Sequence, residues 1–115
     1  MSDPDTGEHI TDVLEFPARE GFAVNAIRVD YEPGGFTPGA HRHPGGAYVY
    51  VVDGSVVFRI GEDEPVVLNA GDSFHEPPGA LHTVSRNASE ELPASLIAFF
   101  VLRGDEIATV YDGEA

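Results

Sequence analysis

The clearest structural signal in the chain is the stretch AYVYVVDGSVVFRI, residues 47–60. Two runs rich in β-branched and aromatic residues flank Asp53-Gly54, a dipeptide that favours a two-residue hairpin turn. Residues 55–60 are therefore predicted to pair with residues 47–52. Further short β-rich runs precede and follow this stretch, and no segment shows a convincing 3.6-residue apolar period.

Glycine and proline separate the predicted strands. The chain has thirteen glycines and nine prolines in 115 residues, and strands this short would leave many edges exposed in an open sheet. An all-β jelly-roll barrel of two antiparallel sheets avoids this problem, and we predict this fold for residues 10–111 as a single domain. Residues 1–9 are predicted to form a flexible polar arm, and residues 112–115 a flexible tail.

The chain is strongly acidic. Twenty aspartate and glutamate residues face six arginines and no lysine, which gives a formal net charge of −14. The resulting field repels nucleic acids and anionic membranes, so neither is expected as a partner. We interpret the acids as solvated surface, for which adaptation to high salt is one explanation and an incidentally acidic surface another.

Several functional classes are excluded by features that the chain lacks. It has no cysteine, which rules out disulfides, thiolate catalysis and zinc–thiolate sites. Its first residues lack the basic and apolar regions of a signal peptide. The longest apolar run, residues 96–102, is far shorter than the roughly 20 residues of a membrane helix. These features predict a cytoplasmic protein.

Histidines provide the first functional signal. His41 and His43 are two residues apart, and alternate residues of a β-strand point to the same face. Both imidazoles can therefore converge on one divalent metal ion. The spacing alone is weak evidence, because two surface histidines in a glycine- and proline-rich segment give the same pattern.

Two blocks of sequence around these histidines resemble the two characteristic motifs of the cupin superfamily. The first motif, G-x5-H-x-H-x3,4-E-x6-G, is matched at its glycines and histidines by Gly35, His41, His43 and Gly54. The second motif, G-x5-P-x-G-x2-H-x3-N, is matched by Gly71, Pro77, Gly79 and His82, with the asparagine one position late at Asn87. The resemblance covers residues 35–87 and implies a small cupin whose metal is bound by His41, His43 and His82.

The chain departs from the first motif at its glutamate position. That position is Ala47, or Tyr48 with the longer spacing. Strand alternation places Ala47, Val49 and Val51 on the inner face, and Tyr48 and Tyr50 on the outer face. The resemblance therefore implies a three-histidine site with open positions for Fe(II), Mn(II), Ni(II), Co(II) or Zn(II), or else a degenerate site without metal.

Two further residues are candidates for the site, Glu76 and its neighbour His75. Neighbours on a strand face opposite ways, so only one of them can point inward. An inward Glu76 could orient a ligand histidine, act as a base or replace the missing carboxylate; otherwise it is a rim carboxylate of an acidic protein. An inward His75 could be a fourth imidazole or a hydrogen-bond donor near the metal. No ligand role is assigned to His9, which lies in the predicted arm.

The resemblance to cupins implies a metal-dependent protein that acts on a small molecule. The three-histidine ligand set favours a dioxygenase-like oxidoreductase, whose substrate chelates the metal and supplies the missing negative charge. A non-catalytic module that binds or senses a small ligand is one alternative, and a metal-dependent isomerase is another. The outward-facing Tyr48, Tyr50 and Val52 predict an apolar surface that needs a cover. A second sheet of the same chain is one possible cover, and the partner subunit of a homodimer, which we predict, is the other.

Overall fold

A computed structural model of the chain describes residues 2–3 and 6–111. Eleven strands account for the regular structure of these residues, and they form two antiparallel sheets. The six-stranded sheet has the order β1 (Ser2–Asp3), β2 (Glu8–Arg19), β3 (Phe22–Tyr31), β10 (Ala94–Arg103), β5 (Ala47–Asp53) and β8 (Ser73–Glu76). The five-stranded sheet has the order β11 (Val110–Tyr111), β4 (His41–Arg42), β9 (Leu81–Asn87), β6 (Ser55–Ile60) and β7 (Val66–Asn69). Across these described ranges, no helix has the length and hydropathy needed to cross a membrane.

The two sheets pack face to face as a jelly-roll sandwich. The all-β class and the two antiparallel sheets are confirmed, but among the described strands no hydrogen-bonded ladder closes the sheets into a barrel. The sheets meet instead through apolar side chains, which include Val29, Val49, Val51, Leu96, Phe100, Val56, Phe58 and Leu68. Closure of the core therefore depends on side-chain burial between the layers, as in other β-sandwiches.

The inner and outer faces of β5 follow the predicted alternation. Ala47, Val49 and Val51 are 0%, 3% and 0% exposed, whereas Tyr48 and Tyr50 are 51% and 47% exposed. The prediction for this strand is confirmed. Its inner residues contribute to the core, and its outer residues leave an aromatic surface on the six-stranded sheet.

The prediction of a hairpin at Asp53-Gly54 is wrong. β5 pairs with β10 and β8, while β6 pairs with β9 and β7, so the chain crosses from one sheet to the other at Gly54. Gly54 has a φ of 70°, and a Cβ at this position would lie 2.5 Å from the carbonyl oxygen of Pro93. A corner between sheets and a hairpin both need a residue that tolerates positive φ, so the dipeptide does not distinguish them.

Near the N-terminus, strand pairing already involves residues before position 10, where the domain was predicted to begin. β1 pairs with the start of β2, with Asp3 opposite Glu8. Glu8 is 6% exposed, and His9 Nε2 lies 2.6 Å from Glu32 Oε2. Part of the predicted arm therefore contributes to the six-stranded sheet. The predicted tail, residues 112–115, lies outside the described residues.

Candidate metal centre

His41 and His43 enter the space between the sheets from β4 and the residue that follows it. Both residues are 7% exposed, whereas Arg42 between them is exposed and donates to the carbonyl of Gly79 at 3.0 Å. The centroids of the two imidazole rings are 4.9 Å apart. The prediction that these two histidines share one face is therefore confirmed.

His82 reaches the same region from β9. Its Cα pairs in register with that of His41, and its side chain is 2% exposed. The ring centroid of His82 lies 4.8 Å from that of His41 and 4.5 Å from that of Phe58. The antiparallel register of β4 and β9 thus brings the histidine of the second motif beside the pair of the first.

Glu76 is the fourth member of the group. It is the last residue of β8, pairs directly with Ala47 of β5 and is 3% exposed. A carboxylate therefore enters the cavity from β8, the strand beside Ala47, where this chain lacks the glutamate of the first motif. His75 points the other way, because it is exposed and stacks on Tyr48 with ring centroids 4.7 Å apart. Of the two alternatives for β8, the structure has Glu76 inward.

The four side chains bring their donor atoms close together. One donor atom from each of His41, His43, Glu76 and His82 lies within 4.8 Å of the other three. Glu76 Oε1 is 2.8 Å from His82 Nδ1 and 3.6 Å from His43 Nε2. Adjacent ligands around an ion at about 2.1 Å are roughly 3 Å apart, so the cluster has nearly the dimensions of a coordination sphere.

The Glu76 carboxylate and the His82 imidazole are in contact, with 2.8 Å between Oε1 and Nδ1. Apart from this contact, Glu76 Oε1, His82 Nδ1 and His82 Nε2 have no hydrogen-bond partner among the described residues. A buried polar atom without a partner costs about 1–3 kcal/mol. A divalent cation in the cluster would accept lone pairs from the Glu76 carboxylate and from one ring nitrogen of His82, so the residues present fit a metal ion.

Hydrogen bonds to the backbone orient two of the imidazoles. His43 Nδ1 is 2.8 Å from the carbonyl oxygen of Ala108 and 3.2 Å from Thr109 Oγ1. Because a carbonyl only accepts, Nδ1 carries the proton and the lone pair of His43 is on Nε2, which faces the cluster. His41 Nδ1 makes a longer contact of 3.4 Å with the carbonyl of Gly39. Nothing in the sequence pattern pointed to Ala108 or Thr109, because a carbonyl in an irregular segment has no sequence signature.

Burial and charge set the protonation of the cluster. The pKa of His41 is lowered to about 4, first by burial and then by electrostatic interaction with the neighbouring imidazoles of His82 and His43. Burial raises the pKa of Glu76, but the contact with His82 and the nearby histidines outweigh this effect, and the net pKa is lowered. At neutral pH His41 is therefore neutral and Glu76 ionised, which are the forms that bind metal ions.

Two glycines, one before β5 and one after β8, connect the backbone near β8 to the backbone of His43. The N–H groups of Gly46 and Gly79 both donate to the carbonyl of His43, at 2.8 and 2.9 Å. Gly46 has a φ of 81°, and a Cβ at this position would lie 2.8 Å from the carbonyl oxygen of Glu76. The glycine therefore permits the close approach that brings Glu76 beside the histidines.

The donor atoms line a cavity of about 80 Å³ between the two sheets. Apolar side chains form much of its wall, among them Val49, Phe58, Leu96, Ala98 and Phe100. One water needs roughly 10–15 Å³ of a cavity measured in this way. The space therefore corresponds to roughly five to eight water-sized positions, enough for a metal ion together with a small ligand.

Known proteins share this architecture. A family model described as Cupin_2, cupin domain, matches residues 27–101. A structure of oxalate oxidase in complex with the substrate analogue glycolate superimposes with a TM-score of 0.70 and 25% identity, over 96% of this chain and 57% of that one. A cupin-like protein from Thermotoga maritima superimposes with a TM-score of 0.77 and 22% identity, over 98% of this chain and 84% of that one.

The two facing sheets, the inward histidines and the match to the family model define the class of this protein. The chain belongs to the Cupin_2 family of cupin domains. Germin-like protein 5-1 of Oryza sativa subsp. japonica is 33% identical to it over 106 residues, which are 86% of this chain and 45% of the germin-like protein. The chain thus spans less than half the length of that relative.

Proposed function

We propose that the chain is a metal-dependent cupin that acts on a small molecule, with the ion bound by His41, His43, Glu76 and His82. The observation that supports this most directly is the group of four buried donors, several of whose atoms lack hydrogen-bond partners among the described residues. The three-histidine ligand set expected from the sequence thus becomes three histidines and one carboxylate. Glu76 takes the place of the carboxylate that is absent at Ala47.

The charge of this donor set favours an anionic ligand. Three neutral imidazoles and one carboxylate leave a divalent ion with one net positive charge, because two positive charges meet one negative charge. A carboxylate or enolate oxygen of a substrate would neutralise it. The apolar side chains of Phe58 and Phe100 line the same cavity, and the exclusion of water by such walls strengthens the attraction between opposite charges.

Within this class, the proposed reaction is oxidation of a small carboxylic acid or of an enolisable dicarbonyl compound by molecular oxygen, which accepts the electrons. The similarity to oxalate oxidase, at 25% identity and a TM-score of 0.70, supports this reaction class. A bound divalent metal supplies Lewis-acid chemistry and, where it is iron or manganese, redox chemistry. Two groups of the chain prepare the site for the reacting group. Glu76 contributes negative charge, and the carbonyl of Ala108 holds the proton of the neutral His43 imidazole at Nδ1, which leaves the lone pair on Nε2.

Metal content is the first test of this proposal. The protein is loaded separately with Fe(II), Mn(II), Ni(II), Co(II) and Zn(II) in the absence of oxygen, and its metal content is measured by elemental analysis. For at least one of these metals, we expect the protein to retain about one ion per chain. His41→Ala and His82→Ala should each weaken metal binding by at least about a hundredfold, since each removes a direct ligand. His75→Ala is the matched control, because His75 lies on the outer face beside Glu76. Stoichiometric metal in both site variants would contradict the assignment.

Turnover distinguishes an enzyme from a binding protein. The metal-loaded protein is incubated with small mono- and dicarboxylic acids, including oxalate and glycolate, and with 1,3-diketones, while oxygen uptake and products are recorded. Oxygen uptake that disappears in His82→Ala supports an oxidoreductase. Turnover under strict anaerobiosis would instead indicate an isomerase, and tight binding without turnover would indicate a ligand-binding cupin.

A further inference from the structure

A second group of polar side chains lies in the same cavity as the candidate metal centre. Glu8, Tyr31, Thr37 and Ser85 line this cavity together with the three histidines and Glu76; we name these four residues the Glu8 cluster. Glu8, Tyr31 and Ser85 are 6%, 2% and 8% exposed. Burial of polar groups is costly unless they are hydrogen-bonded, so their interactions indicate what the cluster can bind.

Hydrogen bonds join the Glu8 cluster into one continuous chain. The Thr37 hydroxyl donates to the Glu8 carboxylate, and the Tyr31 hydroxyl oxygen lies 2.5 Å from Thr37 Oγ1 and 2.7 Å from Ser85 Oγ. Each hydroxyl has one hydrogen, and that of Thr37 is engaged at Glu8. Tyr31 therefore donates to Thr37, and Ser85 donates to Tyr31. Burial raises the pKa of Tyr31, which keeps its phenol protonated in this role.

This order of donors makes the Glu8 cluster a surface of acceptors. The three hydroxyl hydrogens are engaged within the cluster, while the oxygens of Ser85 and Thr37 keep lone pairs and Glu8 contributes negative charge. Such a surface binds a hydroxyl or an ammonium group and repels a second carboxylate. The metal centre, which favours an anionic oxygen, has the opposite preference.

The two polar groups lie at separate places along the cavity. His82 and Ser85 are three residues apart on β9, which separates their Cα atoms by roughly 7–10 Å. Both point inward because the pairing of β9 with β6 shifts between Arg59 and Ile60, which leaves Thr83 as an extra residue. Apolar walls, including Leu96, line the same cavity.

We infer that the cavity selects a small molecule with a metal-binding carboxylate or enolate at one end and a hydroxyl or ammonium group at the other. The Glu8 cluster binds the second group. This selectivity rests on the proposed metal centre, since the carboxylate or enolate end of the small molecule binds to the metal ion. A short aliphatic linker suits the apolar walls between the two ends.

Three probes that differ only at the end away from the carboxylate test this selectivity: butyrate, 4-hydroxybutyrate and 4-aminobutyrate. Their binding to the metal-loaded protein is measured by isothermal titration calorimetry. The hydroxyl and ammonium probes are expected to bind about tenfold more tightly than butyrate, or better, which corresponds to one hydrogen bond with a charged group. Equal binding of the three probes, or no binding of any of them to metal-loaded protein, would overturn the inference.

Glu8→Gln tests whether the preference comes from the Glu8 cluster. Glutamine keeps the shape of the side chain and an oxygen that accepts from Thr37, but it removes the charge. The preference over butyrate should fall to about threefold or less, while butyrate affinity and metal content stay as in the native protein. Glu15→Gln, the same substitution at an exposed position of β2, is the matched control. An undiminished preference in Glu8→Gln would overturn the assignment.

Metal content measured on the same samples separates this inference from the proposed function. A native protein that holds no metal overturns both, whereas metal binding without preference among the probes overturns the selectivity alone. Ser85→Ala is a second variant, for use where Glu8→Gln does not fold. It removes the cluster member on β9 and should lower the preference by a smaller factor; an unchanged preference would again overturn the inference.

Discussion

Glu76 and Ala47 face each other across an antiparallel pair of strands. Side chains at directly paired positions have Cβ atoms about 4.5–5.5 Å apart, so a glutamate at either position reaches the same part of the cavity. The negative charge that the first cupin motif places on β5 is therefore present on β8 in this protein. In the proposed metal centre, this exchange would keep a carboxylate among the donors and change only the strand that supplies it.

We predict that Glu76→Ala lowers the metal affinity by at least about tenfold, because the ion loses its anionic donor. Adding Ala47→Glu to this variant should restore much of the affinity, since the new carboxylate enters from the paired position. Both affinities are measured by competition with a chromophoric chelator. Native affinity in Glu76→Ala would contradict a ligand role, and absence of rescue in the double variant would contradict the equivalence of the two positions.

The sequence could not predict whether the Glu76 side chain points into the cavity. It could predict that the side chains of His41 and His43 point to the same face. His41 and His43 share a face because they are two residues apart on one extended segment, which is a local property. Alternation also shows that His75 and Glu76 face opposite sides. Which of the two points inward depends on the register of β8 against β5, and a shift of one residue would exchange them.

Gly54 forms the corner at which the chain leaves the six-stranded sheet and enters the five-stranded sheet. Residue preferences correctly predicted strands on both sides of it. They did not predict the partners of these strands, because a turn preference reports the backbone conformation of one or two residues and carries no information on pairing. The partners of β5 are β10 and β8, both distant in the sequence.

Gly54→Ala tests how tightly this corner is packed. The added Cβ would lie 2.5 Å from the carbonyl oxygen of Pro93, at a φ of 70°. We expect a loss of about 2–4 kcal/mol in the free energy of unfolding, from the strained φ and the clash together, measured by urea denaturation. Gly61→Ala is the control, because Gly61 has a φ of 55° and nothing within 4 Å of the added Cβ; its cost should be about 1 kcal/mol. Equal losses would argue against a packed corner.

The outer face of the six-stranded sheet exposes several large apolar side chains on neighbouring strands. Tyr48, Tyr50, Phe99 and Val101 are 51%, 47%, 37% and 38% exposed, and Tyr48 pairs in register with Phe99. Contiguous apolar surface of this kind often marks an association site. The contact surface of the predicted homodimer therefore includes residues of β10 as well as residues of β5. The homodimer itself stays a prediction.

We predict that the native protein is a dimer at micromolar concentrations and that the double variant Tyr48→Glu, Val101→Glu is a monomer. Each glutamate would place a charge in the apolar contact, and both add to the repulsion between chains of net charge −14. Molar mass is measured by light scattering after size-exclusion chromatography. Val67→Glu, at an exposed position of β7, should remain dimeric. A monomeric native protein, or a dimeric double variant, would contradict this interface.

Local sequence pattern was enough to predict the all-β class, the inner face of β5 and the fact that His41 and His43 share one face. Alternation, turn preference and donor chemistry act over a few residues, so each can be recognised in a short stretch. Only the tertiary structure established that Glu76 faces Ala47, that β5 and β6 belong to different sheets, and that the Glu8 cluster joins residues from position 8 to position 85. These features depend on the register between strands that are far apart in the chain, and that register is set by packing of the whole sandwich.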